Sequence, residues 1–310
     1  MTHSKSGTST TSAGVPAPVT IAALRKMKQA GERITCLTVY DASFTVMLED
    51  AGVDAAEIDL IILGTVTGDM KFPASACLVQ EKIGAKNAAA FDLSAACSGF
   101  LYGLQVAEGL MATAGYRRVL VIGGEILTSM VNWQDRDTCV LFGDGAGAVV
   151  LGPAEDGRGL LQTYIKSDGA FSQLLYNPGC GSVNPPTPEN AAAHLHTIRM
   201  VGKDVFRNAV NSMTDALQRV LDAASLTVAD LDLVIPHQAN LRIIEAVAKR
   251  FAVPAEKVYV NVERYGNTSA ASIPIALDEV RKSGLVGTGG TIGMVTFGAG
   301  FTWAAALLRL

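Results

Sequence analysis

Charge is scarce in this chain: Asp, Glu, Lys and Arg make up 17% of its 310 residues and sum to a formal −4. Charge this low and this balanced excludes a charge-rich coiled coil and offers no broad basic surface for nucleic acid. Aromatic residues are also few, at 6%, while hydrophobic residues reach 49%. The apolar content is therefore aliphatic and ample for a large buried core, which excludes a disordered chain. The five cysteines (Cys36, Cys77, Cys97, Cys139, Cys180) are odd in number and form no CxxC pair. That argues against a disulfide framework or a structural zinc site and for reduced thiols. No run approaches the ~20 apolar residues of a membrane span, and the Ser/Thr-rich opening MTHSKSGTSTTSAGVPAPV lacks the apolar centre of a signal peptide. The expectation is a cytoplasmic protein with a disordered tail over residues 1–18.

What is present is an alternation of strands and helices. A helix is expected from Thr20 to Gln29, a strand from Ile34 to Tyr40 and a helix from Asp41 to Gly52. EIDLIILGT suits a buried parallel strand, and a helix from Pro73 to Ile83 follows. The rhythm continues through AAAFDLS, the helix after Cys97, RRVLVIGGE and FGDGAGAVVLG, which defines an α/β protein. Three signatures recur in the same order in the two halves. AGVDAAEIDLIILGT pairs with ASLTVADLDLVIPHQ, AAAFDLSAACSGFLYGL with VYVNVERYGNTSAASIPIAL, and FGDGAGAVVL with FGAGFTWAAALL. The copies lie roughly 150 to 170 residues apart, as a duplication would place them. Two packed copies bring their strand-end loops to a shared centre, where ligand sites of such sheets lie.

Three polar residues follow predicted buried strands: Cys97 after AAFDLSAA, His237 after DLVIP and Asn267 after VYVNVERYG. Cys97 precedes an apolar helix among small residues, so the helix dipole is expected to lower its thiol pKa and suit it to covalent catalysis. An inert buried thiol has the same local sequence. His237 is expected to open or cap the helix NLRIIEAVAKR, and Asn267 also fits a plain turn after Gly266. GDGAGAVVLG is followed by a strand rather than a helix and so lacks the dinucleotide-binding context. His194 and His196 share one face of a possible strand but have no third metal ligand nearby in sequence. Arg207, Arg242, Lys249 and Arg250 form either an ordinary solvated face or a docking patch for an anionic carrier.

From about Ala51 to Leu310 the motifs FDLSAACSGF, FGDGAGAVVL, PHQANLRI, RYGNTSAAS and FGAGFTW resemble β-ketoacyl-acyl-carrier-protein synthase III of the thiolase-like condensing enzymes. The resemblance implies duplicated βα halves in a five-layered αβαβα arrangement, residues 55–160 carrying the nucleophile and 161–310 the His and Asn. It implies that an acyl-CoA acylates Cys97, that malonyl-acyl-carrier protein then loses CO2, and that His237 and Asn267 promote decarboxylation and hold the enolate oxygen. Two neutral donors can do this without a metal or other cofactor. By the same resemblance the N–H groups of Cys97 and Ala299 form the oxyanion hole, and Phe72 and Phe297 belong to the acyl tunnel, Phe72 crossing a homodimer interface. CoA contacts fall to Arg136, Gly202, Phe206, Ala239 and Asn240, and carrier-protein docking to Arg207, Arg242, Lys249 and Arg250.

Residues 19–54 depart from this pattern. Pro18 to Asp54 resembles the opening of ketopantoate hydroxymethyltransferase, a metal-dependent (β/α)8 barrel, and meets the synthase-like sequence at AGVD. The chain reads as a chimera in which most of the barrel, including its VGDS-type metal-binding motif, is absent. The Trp and Arg with which the synthases hold the CoA adenine have no counterpart, although Trp133 stands near Arg136. Two other functions fit the same motifs: a catalytically impaired protein that binds acyl carrier protein, and a condensing enzyme of secondary metabolism.

Overall fold

The computed structural model describes residues 51–154 and 157–310. The expected tail, the helix from Thr20, the strand from Ile34 and nearly all of the ketopantoate hydroxymethyltransferase-like segment lie outside the described residues.

Two four-stranded sheets organise the rest. The first has the order β2 (Ala89–Leu93), β1 (Leu60–Gly64), β3 (Val119–Ile126) and β4 (Asp144–Leu151). β1 is parallel to both neighbours and β4 is antiparallel to β3. The second has the order β5 (Gly159–Ser167), β10 (Thr302–Arg309), β9 (Thr291–Gly298) and β8 (Leu233–Pro236). β8 is parallel to β9, and β10 is antiparallel to β9 and β5. β1 and β4 thus find counterparts in β8 and β10, as the first and third signatures predict, and β3 corresponds to β9.

β1 and β3 are apolar along their length because both of their faces are covered. Leu60, Ile62, Val119 and Val121 turn inward to a core shared with the second sheet's Ile235, Ile292 and Met294. Ile61, Leu63, Leu120 and Ile122 alternate to the opposite face and meet α1 (Ser75–Ile83). Each such fully buried aliphatic side chain contributes about 1.5–3 kcal/mol. The shared core also holds α2 (Gly99–Ala114) and α7 (Ser272–Ser283), through Phe100, Leu104, Ile273 and Leu277. Gly115 and Gly284 end these two helices in left-handed conformation. Outside the second sheet, α4 (Gly202–Ala223) and α5 (Leu241–Arg250) pack on Val234, Val295 and Leu307. The layers run α1, first sheet, α2 with α7, second sheet, α4 with α5: the five-layered α/β arrangement.

Local details differ from expectation. Asn240, not His237, caps α5, its Oδ1 accepting the Ile243 N–H at 3.0 Å. VYVNVERYG does not extend as a strand. After a single bridge between Val258 and Val234 it turns into α6 (Val262–Tyr265). The cause is side-chain competition for its backbone: Gln238 Oε1 accepts the N–H groups of Asn261 (2.9 Å) and Val262 (3.2 Å), replacing a strand partner. His194 and His196 lie in the turn after α3 (Pro188–Ala192), not on a strand, and Arg199–Met200 (β7) then pairs with Leu175–Tyr176 (β6).

Candidate active site

Cys97 lies in a single 3-10 turn, Ala96–Ser98, that leads directly into α2. Ala96 takes a positive φ of 46°, so the chain bends sharply after Leu93 and presents the thiol at the helix start. The end of β9 braces this turn from the opposite half. A Cβ on Gly298 would lie 2.7 Å from the Cys97 nitrogen, so only glycine fits. Thr302 Oγ1 ties the same turn by donating to the Ala95 carbonyl at 2.9 Å. Ala299 follows Gly298 in the β9–β10 turn, next to Cys97 on the wall of a cavity of about 570 Å3.

The second-half turn Ser269–Ala271, before α7, is built in the same way. Ser269 has φ 49°, and a Cβ on Gly123 of β3 would land on the Ala270 carbonyl. Asn267 bridges to Phe142 of the first half, and its Oδ1 accepts the Ser269 N–H at 2.9 Å. His237 leaves β8 with its N–H donated to Val295 O at 2.8 Å, and its Nδ1 is 2.7 Å from Ser272 Oγ. The ring is 2% exposed, and burial pushes its pKa down to about 4, so the imidazole is neutral at neutral pH.

Cys97 behaves otherwise than its helix-start position suggested. Burial pushes its thiol up to about 12; the Ser269 hydroxyl beside it lowers the value and the nearby Glu125 carboxyl raises it. Desolvation therefore outweighs the helix dipole, and the resting sulfur is a thiol.

The cavity walls are mostly apolar, with Leu127, Met130, Phe142, Leu175 and Ile198. Ser269 and His196 are also on the wall, whereas His237 and Asn267 are not among its lining residues. Phe297 does not line it either. It is 5% exposed and packs against Phe301, ring centroids 4.6 Å apart, in the core beneath α4. Its position in β9 explains this: it shares the outward face with Val295, while the turn beyond Gly298 provides the wall. Phe72 is 84% exposed on the loop before α1. Arg136 and Trp133 are exposed on the loop between Met130 and Phe142, Gly202 and Phe206 are in the first turns of α4, and Ala239 and Asn240 immediately precede α5. Arg207, Arg242, Lys249 and Arg250 are all exposed on α4 and α5. Arg207 is paired with Asp204 at 2.8 Å, and Arg250 donates to Asn211 Oδ1 at 2.9 Å. Among the described residues no three His, Cys, Asp or Glu gather as a metal site, and no helix is long and apolar enough to cross a membrane.

Ser269 and Glu125 were not singled out from sequence. Glu125 had left a signal, as an acid within the otherwise apolar VLVIGGEIL.

A duplicated five-layer α/β body with a cysteine at the start of a central helix defines a thiolase-like condensing enzyme, an acyltransferase. Residues 91–169 match the family model for 3-oxoacyl-[acyl-carrier-protein] synthase III, and residues 221–310 match that for its C-terminal part. The chain is 52% identical over 262 residues to β-ketoacyl-[acyl-carrier-protein] synthase III of Caldanaerobacter subterraneus subsp. tengcongensis, covering 84% of this chain and 79% of the relative. It is similar to the crystal structure of 3-oxoacyl-[acyl-carrier-protein] synthase III from Aquifex aeolicus, with a TM-score of 0.78, 47% identity and coverage of 85% of this chain and 80% of the other. It is also similar to the priming β-ketosynthase of the R1128 polyketide biosynthetic pathway, with a TM-score of 0.78, 40% identity and coverage of 85% and 78%. The chain belongs to the β-ketoacyl-acyl-carrier-protein synthase III family, the condensing enzymes of fatty acid biosynthesis.

Proposed function

We propose that this enzyme joins a short acyl group from acyl-CoA to malonyl-acyl-carrier protein, with Cys97 as the acylated nucleophile. The observation that carries the reading is the meeting of two turns from opposite halves: Ala96–Ser98, braced by Gly298, and Asn267–Ser272, with Cys97, Ala299 and Ser269 facing one cavity. Cys97 sulfur attacks the thioester carbonyl, and the N–H groups of Cys97 and Ala299 hold the oxyanion until CoA leaves. Malonyl-carrier protein then enters and loses CO2. Neutral His237 and the Asn267 amide donate to the forming enolate oxygen, and the enolate carbon attacks the acyl-cysteine, breaking its C–S bond to give a 3-oxoacyl product and a Cys97 thiolate that takes up one proton to restore the resting thiol. This role needs the ring proton on Nε2, the tautomer in which Nδ1 accepts from the Ser272 hydroxyl 2.7 Å away. Acyl-CoA serves as substrate and no cofactor takes part.

The exposed Phe72 fits a homodimer in which it enters the partner's acyl tunnel. Arg242, Lys249 and Arg250 supply a positive face for the carrier protein, to which Arg207 adds less because Asp204 already pairs with it. CoA is held by Arg136, Gly202, Phe206, Ala239 and Asn240 in a cytoplasmic enzyme. The ketopantoate hydroxymethyltransferase-like residues 18–54 carry no activity of their own. A second reading, initiation of a polyketide rather than a fatty acid, is favoured by the 40% identity to a priming polyketide ketosynthase.

The test is intact-protein mass spectrometry after brief exposure to acetyl-CoA, then malonyl-carrier protein, with Cys97→Ala as control. One acetyl increment that disappears on malonyl addition and is absent from the variant supports the reading. No increment in folded protein refutes it and leaves a carrier-protein binder impaired in acyl transfer.

A further inference from the structure

Glu125 has no part in the chemistry above, yet it is 2% exposed at the end of β3 with no Lys, Arg or His in ion-pair reach among the described residues. Burying an unpaired carboxylate is costly unless its lone pairs are filled. Here Oε2 is filled by the hydroxyls of Thr65 (3.2 Å) and Thr67 (2.6 Å) and the Val66 N–H (3.1 Å). Thr67 is itself held by the Ile126 N–H, donated to its Oγ1 at 2.8 Å. The other oxygen, Oε1, has a single partner: the Ser269 hydroxyl from the opposite half, at 3.1 Å. Every contact is a donor, as an ionised carboxylate requires.

Ser269 stands between this carboxylate and the nucleophile. Its hydroxyl acts on the Cys97 thiol, and both residues face the same cavity. Its left-handed backbone persists because Asn267 holds its N–H and Glu125 its side chain. While its one hydroxyl hydrogen is directed to Oε1, Ser269 offers the thiol a lone pair and can accept the S–H; once the sulfur is ionised the same hydrogen can turn to it, the contact that lowers the thiol's pKa.

We propose that Glu125 is a positioning residue that, through Ser269, takes the proton of Cys97 during acylation and returns it to the departing CoA. This rests on Cys97 being the acylated residue. As sulfur attacks the thioester carbonyl, its proton passes to Ser269 Oγ while the Ser269 hydroxyl proton passes to Glu125 Oε1. As the tetrahedral adduct collapses, the C–S bond to CoA breaks. The CoA thiolate recovers a proton from the Ser269 hydroxyl, which is replenished from Glu125. The cycle ends with acyl-cysteine, CoA thiol and an ionised Glu125. Release of the thiol proton to water would instead place a second negative charge beside a buried carboxylate. Transfer along the relay keeps the cluster at one negative charge throughout. Burial raises the pKa of Glu125 as well as that of the thiol, which makes the carboxylate a stronger base than an exposed one.

The experiment uses the full chain and the near-isosteric Glu125→Gln. Wild type is acylated first: absence of an acetyl increment on Cys97 would refute the assignment of the nucleophile, independently of Glu125. Given that increment, Glu125→Gln should acylate at least about 100-fold more slowly, the scale of general acid–base assistance. Once acylated by long incubation, it should consume malonyl-carrier protein at the wild-type rate. Equal acylation rates overturn the proposal, and so does equal slowing of both half-reactions, which would mark a merely structural role. Should Glu125→Gln fail to fold, Ser269→Ala leaves the three donors on Oε2 in place and must show the same split. Acylation of Ser269→Ala at the wild-type rate overturns the relay.

Discussion

Replacing Gly298 by alanine tests the brace behind the nucleophile. The added Cβ would sit 2.7 Å from the Cys97 nitrogen and 3.2 Å from that of Ser98, both backbone atoms that cannot swing aside. Relieving the closer contact requires about 0.7 Å of movement of the Cys97 turn or the β9 end, in a core packed to crystal-like density. Overpacking of this kind costs about 1–3 kcal/mol, or on the order of 5 °C in Tm. The larger effect should fall on chemistry, since displacing a reacting group by roughly 1 Å costs about 100-fold in rate. The assay pairs thermal unfolding with the rate of Cys97 acetylation from acetyl-CoA. Gly109→Ala is the control, because a Cβ there meets nothing within 4 Å and alanine favours a helix by roughly 0.5–1 kcal/mol. A Gly298→Ala enzyme acetylated as fast as wild type would refute the rigid brace and place the turn's precision elsewhere.

His237 gives a pH signature. Its folded pKa of about 4 lies below its usual 6.5, so its stabilising contribution is complete above pH 6.5 and is lost as pH falls towards 4, to a total of about 3 kcal/mol. His237→Gln should therefore flatten the fall in Tm between pH 7 and pH 4.5, and an unchanged slope would contradict burial as the cause. Glu279 gathers Tyr259, Asn261, Arg264 and Tyr265, with hydrogen bonds of 2.7–2.9 Å, around the segment leading to Asn267. Although burial pulls its carboxyl upward, these bonds together hold it below the ordinary value. Glu279→Ala should cost about 2–4 kcal/mol by urea unfolding and slow malonyl decarboxylation with it. Arg242→Glu should raise KM for malonyl-carrier protein several-fold and leave that for acetyl-CoA unchanged; equal rises would remove the docking role. The resemblance leaves residues 19–54 without counterparts of the Trp and Arg with which the synthases hold the CoA adenine, and on that expectation the KM for acetyl-CoA should exceed that of a typical family member with kcat retained, as steady-state kinetics would show.

The strands that position the site were legible because they are buried on both faces: LIILG and VLVIG have no polar position at which to be misread. The first and third recurring signatures likewise anticipated two sheets with matching strands, whereas the second paired β2 with a segment that is not a strand. The segment around Asn261 misled for a stated reason, since its β-branched run signals a strand while a distant side chain, Gln238, takes its backbone donors. The thiol of Cys97 misled for another. A helix start is visible in sequence, but the depth at which the sulfur lies is not, and here depth dominates. The Glu125 relay was hidden because it depends on contact between residues far apart in the chain, although an acid in an apolar strand hinted at it.

The reciprocal bracing of the two turns also sets when a working site can first exist. Cys97 is held by Gly298, about 200 residues later in the chain. A ribosome adding about 5–20 residues per second needs on the order of 10–40 s to go from one to the other. During that interval the first half can collapse but has nothing to press its cysteine into place. The growing chain carries a disarmed thiol until the end of β9 has been made.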